Sequence, residues 1–197
     1  MSQPPTLIHL PASYVQRLDL ARLFVRAQPL EVELGSGDGS FLVQHAAAHP
    51  DRNFIGVERL LGRLRKLDRK GQRAGLMNLL LLRIEASYCL EYLLPPQSVT
   101  ALHIYFPDPW PKRRHQRRRL VNSRFVEAAA QGLLPAGVAY LRTDDAPYFA
   151  QMVMVFEANP AFEPVATPAL LAELLTDFER DFQTRGVATL RAAYQRR

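Results

Sequence analysis

The chain has 197 residues, of which 48% are hydrophobic, and it carries a formal net charge of +6. This length and apolar content fit one globular domain and exclude a disordered chain, and the positive charge favours a polyanionic partner such as nucleic acid. A lone cysteine, Cys89, excludes an internal disulfide framework and any cysteine-based zinc site, and we assign no metal ligands. The sequence shows no signal peptide and no sustained apolar run, so we expect a cytoplasmic protein that does not enter membranes.

The first part of the chain has the pattern that opens a nucleotide-binding βαβ unit. Residues 1–28 form a lead-in with one short predicted helix, and we expect residues 29–197 to form a single domain. Residues 30–34 alternate apolar and polar side chains, which predicts a strand. A glycine-rich turn follows at 35–40, and a helical pattern then runs to about Pro50. Strand, glycine turn and helix in this order place a ligand at the start of the helix.

The glycine turn reads Gly-x-Gly-x-Gly, with glycines at Gly35, Gly37 and Gly39. It lacks the Gly-Lys-Ser/Thr ending of a Walker loop, and Ser40 stands where a dinucleotide site has its third glycine. Glu33 precedes the turn, and a carboxylate there repels a pyrophosphate but attracts the ammonium and sulfonium groups of S-adenosylmethionine. Gly35 and Gly37 let such a ligand approach the backbone closely. A glycine turn without any ligand is the alternative reading.

Acidic residues end or follow the next three predicted strands. Strand 53–57 ends at Glu58, strand 79–84 at Glu85, and strand 101–106 is followed by Asp108. An acid about 20 residues after the turn suits ribose hydroxyls, and the next one suits the amino group of adenine. Because parallel strands end at one edge of a sheet, we expect these carboxylates to lie together there.

The segment after the strand predicted over 101–106 combines an acid, an aromatic ring and a basic run. Three prolines stiffen it around Asp108 and Trp110. Six cations follow within eight residues: Lys112, Arg113, Arg114, Arg117, Arg118 and Arg119. A stacking surface beside arginines favours a nucleobase attached to its phosphate backbone, although a basic run alone is more often a solvated face. The basic helix predicted over 60–74 has the same two readings.

The remaining pattern predicts further strands and helices of an α/β fold. In order they are a helix over 124–134, a strand over 138–141, a helix over 147–158, a short strand over 162–165, a loop or short helix over 166–175 and a last edge strand over 186–194. A polar cluster, residues 142–145, follows the strand that ends at Leu141.

Three motifs resemble the bacterial tRNA (guanine-N(7)-)-methyltransferases. They are Val-Glu-Leu-Gly-Ser-Gly-Asp-Gly at 32–39, Phe-Ile-Gly-Val-Glu at 54–58, and Tyr-Phe-Pro-Asp-Pro-Trp-Pro-Lys-Arg-Arg-His-Gln-Arg-Arg-Arg-Leu-Val at 105–121. The third motif is the specific one, because the first two occur in many methyltransferases. The resemblance implies a Rossmann-like class I S-adenosylmethionine-dependent methyltransferase, with a mostly parallel seven-stranded sheet flanked by helices. It also implies tRNA as substrate and 7-methylguanosine in the variable loop as product.

The resemblance assigns roles to single residues. It places Glu33, Glu58 and Glu85 at the cofactor and gives Asp108 both a cofactor contact and the catalytic role. The substrate set implied by the resemblance is Lys112, Asp144, Thr176, Phe178 and Glu179, and we expect Arg113, Arg114 and Arg117 to bind tRNA phosphates. Asp177 departs from the family pattern, which usually has a basic residue at that position.

Three other functions compete with this interpretation. An amino-group methyltransferase carries an Asp/Asn-Pro-Pro-aromatic motif after the same strand, but here only one proline separates Asp108 from Trp110. A non-catalytic RNA-binding protein on a methyltransferase fold is the alternative outside enzymes. A dinucleotide-dependent oxidoreductase is disfavoured by Glu33 and by the missing glycine. A monomer and a homodimer are both compatible with the sequence.

Overall fold

A computed structural model describes residues 6–197 and places eight strands in one mixed sheet. The strands are β1 Ile8–His9, β2 Leu30–Leu34, β3 Asn53–Val57, β4 Leu79–Leu82, β5 Val99–Tyr105, β6 Leu133–Thr143, β7 Phe162–Val165 and β8 Leu190–Arg196. Their order is β1-β4-β3-β2-β5-β6-β8-β7, with the first six parallel and β8 antiparallel to both of its neighbours. The predicted fold class is confirmed, with the two-residue β1 added to the seven expected strands.

One prediction about the C-terminal part of the chain needs correction. The strand near the C-terminus is not an edge strand, because β8 lies between β6 and β7 and β7 forms the edge. The lead-in contributes pairing that was not predicted, since β1 pairs with β4 and Leu18 is buried in the core. Pairing partners that are distant in sequence leave no local pattern, which is why periodicity did not show them.

Helices cover both faces of the sheet. They are α1 Leu20–Leu23, α2 Leu42–Ala48, α3 Leu61–Arg73, α4 Ala86–Tyr88, α5 Ser123–Gly132, α6 Ala146–Glu157, α7 Ala169–Glu173 and α8 Asp177–Thr184. A π-helical turn, Cys89–Leu93, continues α4, and the basic run forms a 3-10 helix at Arg113–Arg118. None of the helices within residues 6–197 has the length and apolar character needed to cross a bilayer.

The core consists of two apolar layers, one on each face of the sheet. One layer packs α5 and α6 on the sheet through residues such as Phe125 and Phe156, and the other packs α2 and α3 through Phe41 and Leu67. Strand β2 is buried along its whole length. Its alternation therefore sends Val32 and Leu34 to the first layer and its two glutamates to the face covered by α2 and α3.

A buried polar network ties β2, β5 and α2 together. Glu31 Oε2 accepts hydrogen bonds from Nε2 of His45 and from Nε2 of His103, each at 2.8 Å, and Glu31 also pairs with Arg52. Burial raises the pKa of Glu31, but the hydrogen bonds from the two imidazoles outweigh it and hold the pKa well below the usual range. The three ligand-type atoms lie within 4.8 Å of one another, yet the hydrogen bonds already use them, so the network reads as structural.

Gly39 shows why the turn before α2 needs a glycine. Its φ is +81°, in the left-handed region that favours glycine, and a Cβ built on it would lie 2.0 Å from Cδ1 of Leu67. Leu67 is fully buried on α3. The turn thus lets the middle of α3 pack directly against the backbone that opens α2.

Candidate active site

The carboxyl ends of the central strands surround a cavity of about 240 Å³, which we call the edge cavity. Its lining includes Gly35 from the glycine turn, Glu58, Glu85, Asp108 and Trp110. The structure therefore brings together three of the four acids that the sequence placed at strand ends. The fourth, Glu33, lies buried on β2 immediately before the turn.

Glu33 is a buried carboxyl group with an open hydrogen-bonding position. It is 4% exposed, and its Oε2 has no hydrogen-bond partner among the described residues. Burial raises the pKa of Glu33 to about 8, against the opposing influence of the Arg142 guanidinium. Since an unpartnered buried carboxyl is costly, the site is suited to a ligand that brings a cation or a donor to this oxygen.

Glu58 connects the glycine turn to the start of α3. Its Oε2 accepts a hydrogen bond from Gly37 N at 3.1 Å, and its Oε1 accepts one from Leu60 N at 2.6 Å. Gly35 and Gly37 have positive φ values, and a Cβ on either would meet nothing within 4 Å. These glycines are needed for their backbone conformation, and the open space beside them leaves the backbone accessible to a ligand.

Glu85 caps α4 with one carboxylate oxygen. Oε2 accepts from the Ser87 hydroxyl at 2.5 Å and from Tyr88 N at 2.9 Å. Burial alone would raise the pKa of Glu85, but the hydrogen bonds from the Ser87 side chain and from the backbone outweigh it. The net pKa is lowered, so the group is held in its ionised form. Both of these hydrogen bonds use Oε2 of Glu85, and its Oε1 is then the oxygen that can accept from a ligand in the edge cavity.

Asp108 sits on a conformationally strained loop after β5. Phe106 and Trp110, which flank it, have φ values of 51° and 44°, in the left-handed region that side chains other than glycine rarely adopt. Phe106 N donates to Arg142 O at 2.8 Å, which fastens the loop to β6. The carboxylate of Asp108 is exposed at the mouth of the edge cavity. The contacts that hold this strained loop in place also fix the backbone position from which the Asp108 carboxylate extends.

Arg119 holds this loop from below, which corrects its expected role in the basic run. The residue is 4% exposed, and its Nε donates to Pro109 O at 2.7 Å while Nη1 donates to Gln151 Oε1 at 2.8 Å. Its guanidinium also lies 4.7 Å from the centre of the Tyr148 ring. Arg119 is therefore an anchor of the Asp108 loop and not a phosphate contact. Nothing in the run distinguishes it from its exposed neighbours Lys112, Arg113, Arg114, Arg117 and Arg118.

Aromatic contacts join the loop to α8. Trp110 lies under the guanidinium of Arg118 at 5.0 Å, so part of its surface is already covered. The Phe106 ring centre lies 6.0 Å from that of Phe178 and 5.5 Å from that of Phe182. This cluster brings Phe178, a predicted substrate residue that is 49% exposed, next to the loop that carries Asp108.

Two other predicted substrate residues are buried and engaged within the protein. Thr176 and Glu179 form a capping box that starts α8, a helix the sequence analysis did not predict. Glu179 is fully buried and pairs with Arg142 at 2.9 Å and with Arg191 at 2.8 Å. These contacts place α8 beside the site. The substrate roles of Thr176, Glu179 and Phe178 stay predictions, as do those of the exposed Lys112 and Asp144.

The departure at Asp177 has a structural account. Its backbone N donates to Ser40 Oγ at 3.0 Å, and its carboxylate lies 3.8 Å from Lys70 Nζ, which in turn bonds to Asp38 at 2.7 Å. The start of α8 is thus fastened to the glycine turn through Lys70. Lys70 belongs to the basic helix predicted over 60–74, and in the structure its ammonium pairs with the carboxylates of Asp38 and Asp177.

Arg142 is the functional residue that sequence reasoning undervalued. It is 1% exposed at the end of β6, pairs with Glu179, and donates to the carbonyls of Leu171 and Leu174. It also lies 4.2 Å from the centre of the Tyr105 ring. The available signal was a cation directly after an apolar strand, because a buried guanidinium must find several acceptors.

Comparison with known proteins finds relatives whose similarity to this chain includes all the residues of the edge cavity. Residues 27–192 match a family described as putative methyltransferase. The tRNA (guanine-N(7)-)-methyltransferase of Sodalis glossinidius (strain morsitans) is 38% identical over 176 residues, covering 87% of this chain and 74% of the relative. The protein of the same name from Nocardioides sp. is 39% identical over 180 residues, covering 90% and 72%. That of Chromohalobacter salexigens is 41% identical, but the match covers only 62% of its length.

Solved structures share the fold at low sequence identity. The 16S rRNA methyltransferase KamB superposes with a TM-score of 0.68 at 16% identity, covering 92% of this chain and 94% of that protein. TrmN from Thermus thermophilus superposes with a TM-score of 0.62 at 15% identity, covering 87% of this chain and 45% of that protein. At these identities the likeness establishes the fold of the sheet and its helices and no more.

Proposed function

The chain belongs to the tRNA (guanine-N(7)-)-methyltransferase family, and we propose from this membership that it transfers the methyl group of S-adenosylmethionine to N-7 of a guanosine in the tRNA variable loop. The observation that carries the proposal is the edge cavity, where Glu58, Glu85 and Asp108 meet beside the buried Glu33 and the exposed basic run. We further propose that residues 29–197 act as one catalytic domain, onto which the lead-in packs through β1 and Leu18.

The residues present fit S-adenosylmethionine. The unpartnered Oε2 of Glu33 suits the ammonium of the methionyl end, and the glycine turn leaves open backbone beside it. Glu58 already holds the turn, and its remaining lone pairs suit ribose hydroxyls, while the free Oε1 of Glu85 suits the adenine amino group. When bound, S-adenosylmethionine would supply the methyl group of its sulfonium to a nucleophile, with the neutral thioether S-adenosylhomocysteine as leaving group.

The chemistry of guanine N-7 explains why the site has acids and no histidine base. This nitrogen carries a lone pair and no proton, so its methylation requires no general base. The purine ring gains positive charge as the bond forms. The protein therefore has to position the base and stabilise that charge, which are the tasks of orientation and preorganised electrostatics.

We assign the charge-stabilising role to Asp108. Its carboxylate lies at the mouth of the edge cavity. The Arg119 side chain donates to the carbonyl of Pro109 in its loop, and the backbone carbonyl of Arg142 accepts from Phe106 N. A fixed carboxylate close to the base lowers the energy of a cationic purine without having to reorganise during the reaction. Phe106 and Trp110 supply apolar walls of the cavity, and Phe178 packs beside Phe106.

The exposed cations beside the loop are the proposed tRNA contacts. Lys112, Arg113, Arg114 and Arg117 are all exposed around the 3-10 helix and adjoin the Asp108 loop in sequence. Arginine forks match phosphate oxygens, so this run holds the RNA backbone while the base reaches the cavity. Binding should weaken steeply as salt is raised.

The test is methyl transfer to a tRNA transcript, followed by digestion and identification of the nucleoside. The protein is incubated with methyl-labelled S-adenosylmethionine and unmodified tRNA, and a second transcript carries 7-deazaguanosine in place of guanosine. That analogue has no N-7 lone pair but keeps the exocyclic amino group. We expect label in 7-methylguanosine with the first transcript and no label with the second.

The outcomes separate the competing functions. Label on the 7-deaza transcript would refute the N-7 assignment, and digestion would then show whether it lies on an exocyclic amino group. Binding of tRNA without binding of S-adenosylmethionine would favour a non-catalytic RNA-binding protein.

A further inference from the structure

We propose that a second cavity binds the RNA nucleotide adjacent to the target guanosine, an inference that rests on the proposed function because it takes tRNA as the substrate. This cavity, which we call the flanking cavity, has a volume of about 420 Å³. Its lining includes Glu85, Tyr88 and Tyr92 from the segment after β4, Arg117 and Arg118 from the basic run, and Arg124 from α5. None of the roles assigned above uses Tyr88, Tyr92 or Arg124.

The two tyrosines form an aromatic platform. Their ring centres lie 4.8 Å apart with the planes inclined by 38°, and the Tyr88 hydroxyl donates to Tyr14 O at 2.7 Å. Tyr88 is therefore fixed, and it supports Tyr92, which remains 46% exposed. An exposed ring backed by a second ring in a cavity is suited to stacking with a nucleobase, and stacking of this kind tolerates any base.

The charges around the platform suit a phosphate. Arg117 and Arg118 are exposed, and Arg118 is held by its contact with Trp110. Two acids lie on the same segment: Glu91 is paired with Arg124 at 2.5 Å, and Glu85 is hydrogen-bonded by the Ser87 hydroxyl and by Tyr88 N. Cations thus prevail on one wall of the cavity and aromatic rings form another, which is the combination found in grooves for single-stranded nucleic acid.

The flanking cavity adjoins the edge cavity. Glu85, Arg118 and Leu120 line both. A volume of about 420 Å³ lies at the lower end of small-molecule sites, which span roughly 300–1,000 Å³, so it fits one nucleotide and not a duplex. An RNA strand that places guanine in the edge cavity therefore has its neighbouring nucleotide within reach of Tyr92. Residues that hold this neighbour help to hold the target base outside its stack.

The experiment pairs two variants of Tyr92 with abasic tRNAs. Tyr92→Ala removes the ring, whereas Tyr92→Phe keeps it and removes only the hydroxyl that accepts from Arg124 at 3.0 Å. We measure kcat/KM for unmodified tRNA and for tRNAs with an abasic site on the 5′ or the 3′ side of the target guanosine. Affinity for S-adenosylmethionine is measured by calorimetry for each protein, and thermal unfolding checks that each folds.

We expect Tyr92→Ala to lower kcat/KM by about 5- to 100-fold, the usual value of one base–aromatic stack, and Tyr92→Phe to stay near the wild type. On one of the two abasic tRNAs the kcat/KM of the wild type should fall by a similar factor. On that tRNA, Tyr92→Ala should lower kcat/KM no further. Affinity for S-adenosylmethionine should be unchanged. Arg117→Gln should weaken binding of every tRNA and reduce its salt dependence.

Three results would overturn the proposal. The first is a wild-type kcat/KM in Tyr92→Ala, and the second is an equal loss of kcat/KM caused by Tyr92→Ala on the unmodified tRNA and on both abasic tRNAs. The third is a loss of affinity for S-adenosylmethionine in Tyr92→Ala, which would make the flanking cavity part of the cofactor site. If Tyr92→Ala does not fold, the wild-type enzyme decides, because equal rates on all three tRNAs refute stacking. A wild type that forms no 7-methylguanosine would instead refute the proposed function, and fluorescence anisotropy with the same tRNAs would then test the cavity.

Discussion

Replacement of Glu33 by glutamine should remove the part of the pH dependence of cofactor binding that Glu33 causes below about pH 8. Burial raises the pKa of Glu33 to about 8, so at neutral pH most of the protein carries this group protonated. The ammonium of S-adenosylmethionine binds the carboxylate, not the carboxylic acid. Binding in the wild type therefore releases a proton from Glu33, and affinity should rise as the pH rises toward 8.

The size of this effect follows from the fraction ionised. With a pKa of about 8, roughly 1% of the groups are ionised at about pH 6 and roughly half at about pH 8, so ionisation of Glu33 alone contributes a Kd about 50-fold lower at the higher pH. Glu33→Gln has no such group, so its Kd should change over this range only through the amino group of the ligand. At about pH 8 it should bind about 10- to 100-fold more weakly than the wild type, the value of one charge-assisted hydrogen bond.

Calorimetric titration at several pH values, in buffers of different ionisation enthalpy, measures both Kd and proton release. The matched control is Glu85→Gln. Since the pKa of Glu85 is lowered, this carboxylate is ionised throughout the range, and its loss should weaken binding without changing the pH slope. The amino group of the ligand titrates identically in every protein, so ratios between proteins isolate Glu33. A wild-type slope retained in Glu33→Gln would refute the reasoning.

The same group predicts a pH dependence of stability with a definite sign. The pKa of Glu33 is raised from 4.5 to about 8 in the folded state. The contribution of Glu33 to the free energy of unfolding of the ligand-free wild type is therefore greatest below about pH 4.5 and is lost as the pH rises through 8. At about 1.4 kcal/mol per pKa unit, the upper limit of this loss is ~5 kcal/mol. Urea unfolding should therefore show Glu33→Gln gaining stability relative to the wild type as the pH rises; a constant difference would contradict the raised pKa.

Three further substitutions test the site and the fold. Asp108→Asn should lower kcat about 100-fold and leave tRNA affinity nearly unchanged, because it removes charge stabilisation and no phosphate contact; near-normal turnover would exclude the assigned role. Arg119→Met should lower kcat about 10-fold or more without altering the salt dependence of binding, whereas Arg117→Met should reduce that dependence and spare kcat; a reduced salt slope in Arg119→Met would restore it to the phosphate-binding set. Gly39→Ala should cost at least ~2 kcal/mol in urea unfolding because of its positive φ and the clash with Leu67, while Gly62→Ala, in open space on α3, should stabilise by about 0.5–1 kcal/mol; similar values for both would contradict the packing argument.

Local sequence determined the class of the fold and the edge at which the site lies. Alternation predicted β2, and its glycine turn, with the acids after the following strands, placed Glu58, Glu85 and Asp108 at one edge of a parallel sheet. The specific motif at 105–121 predicted the family, which the relatives confirm. Such features are readable because strand period, turn chemistry and the direction of parallel strands act over short distances or follow from topology.

Only the tertiary structure decided what each charged residue does. Arg119 and Arg117 stand in the same basic run, yet one is buried under the Asp108 loop and the other faces solvent. Glu33 and Glu31 lie on the same face of one strand, yet burial without a partner raises the pKa of the first, and two imidazoles lower that of the second. The physical reason is that the charge state and contacts of a side chain depend on its desolvation and on partners distant in sequence, and only the folded chain brings those together.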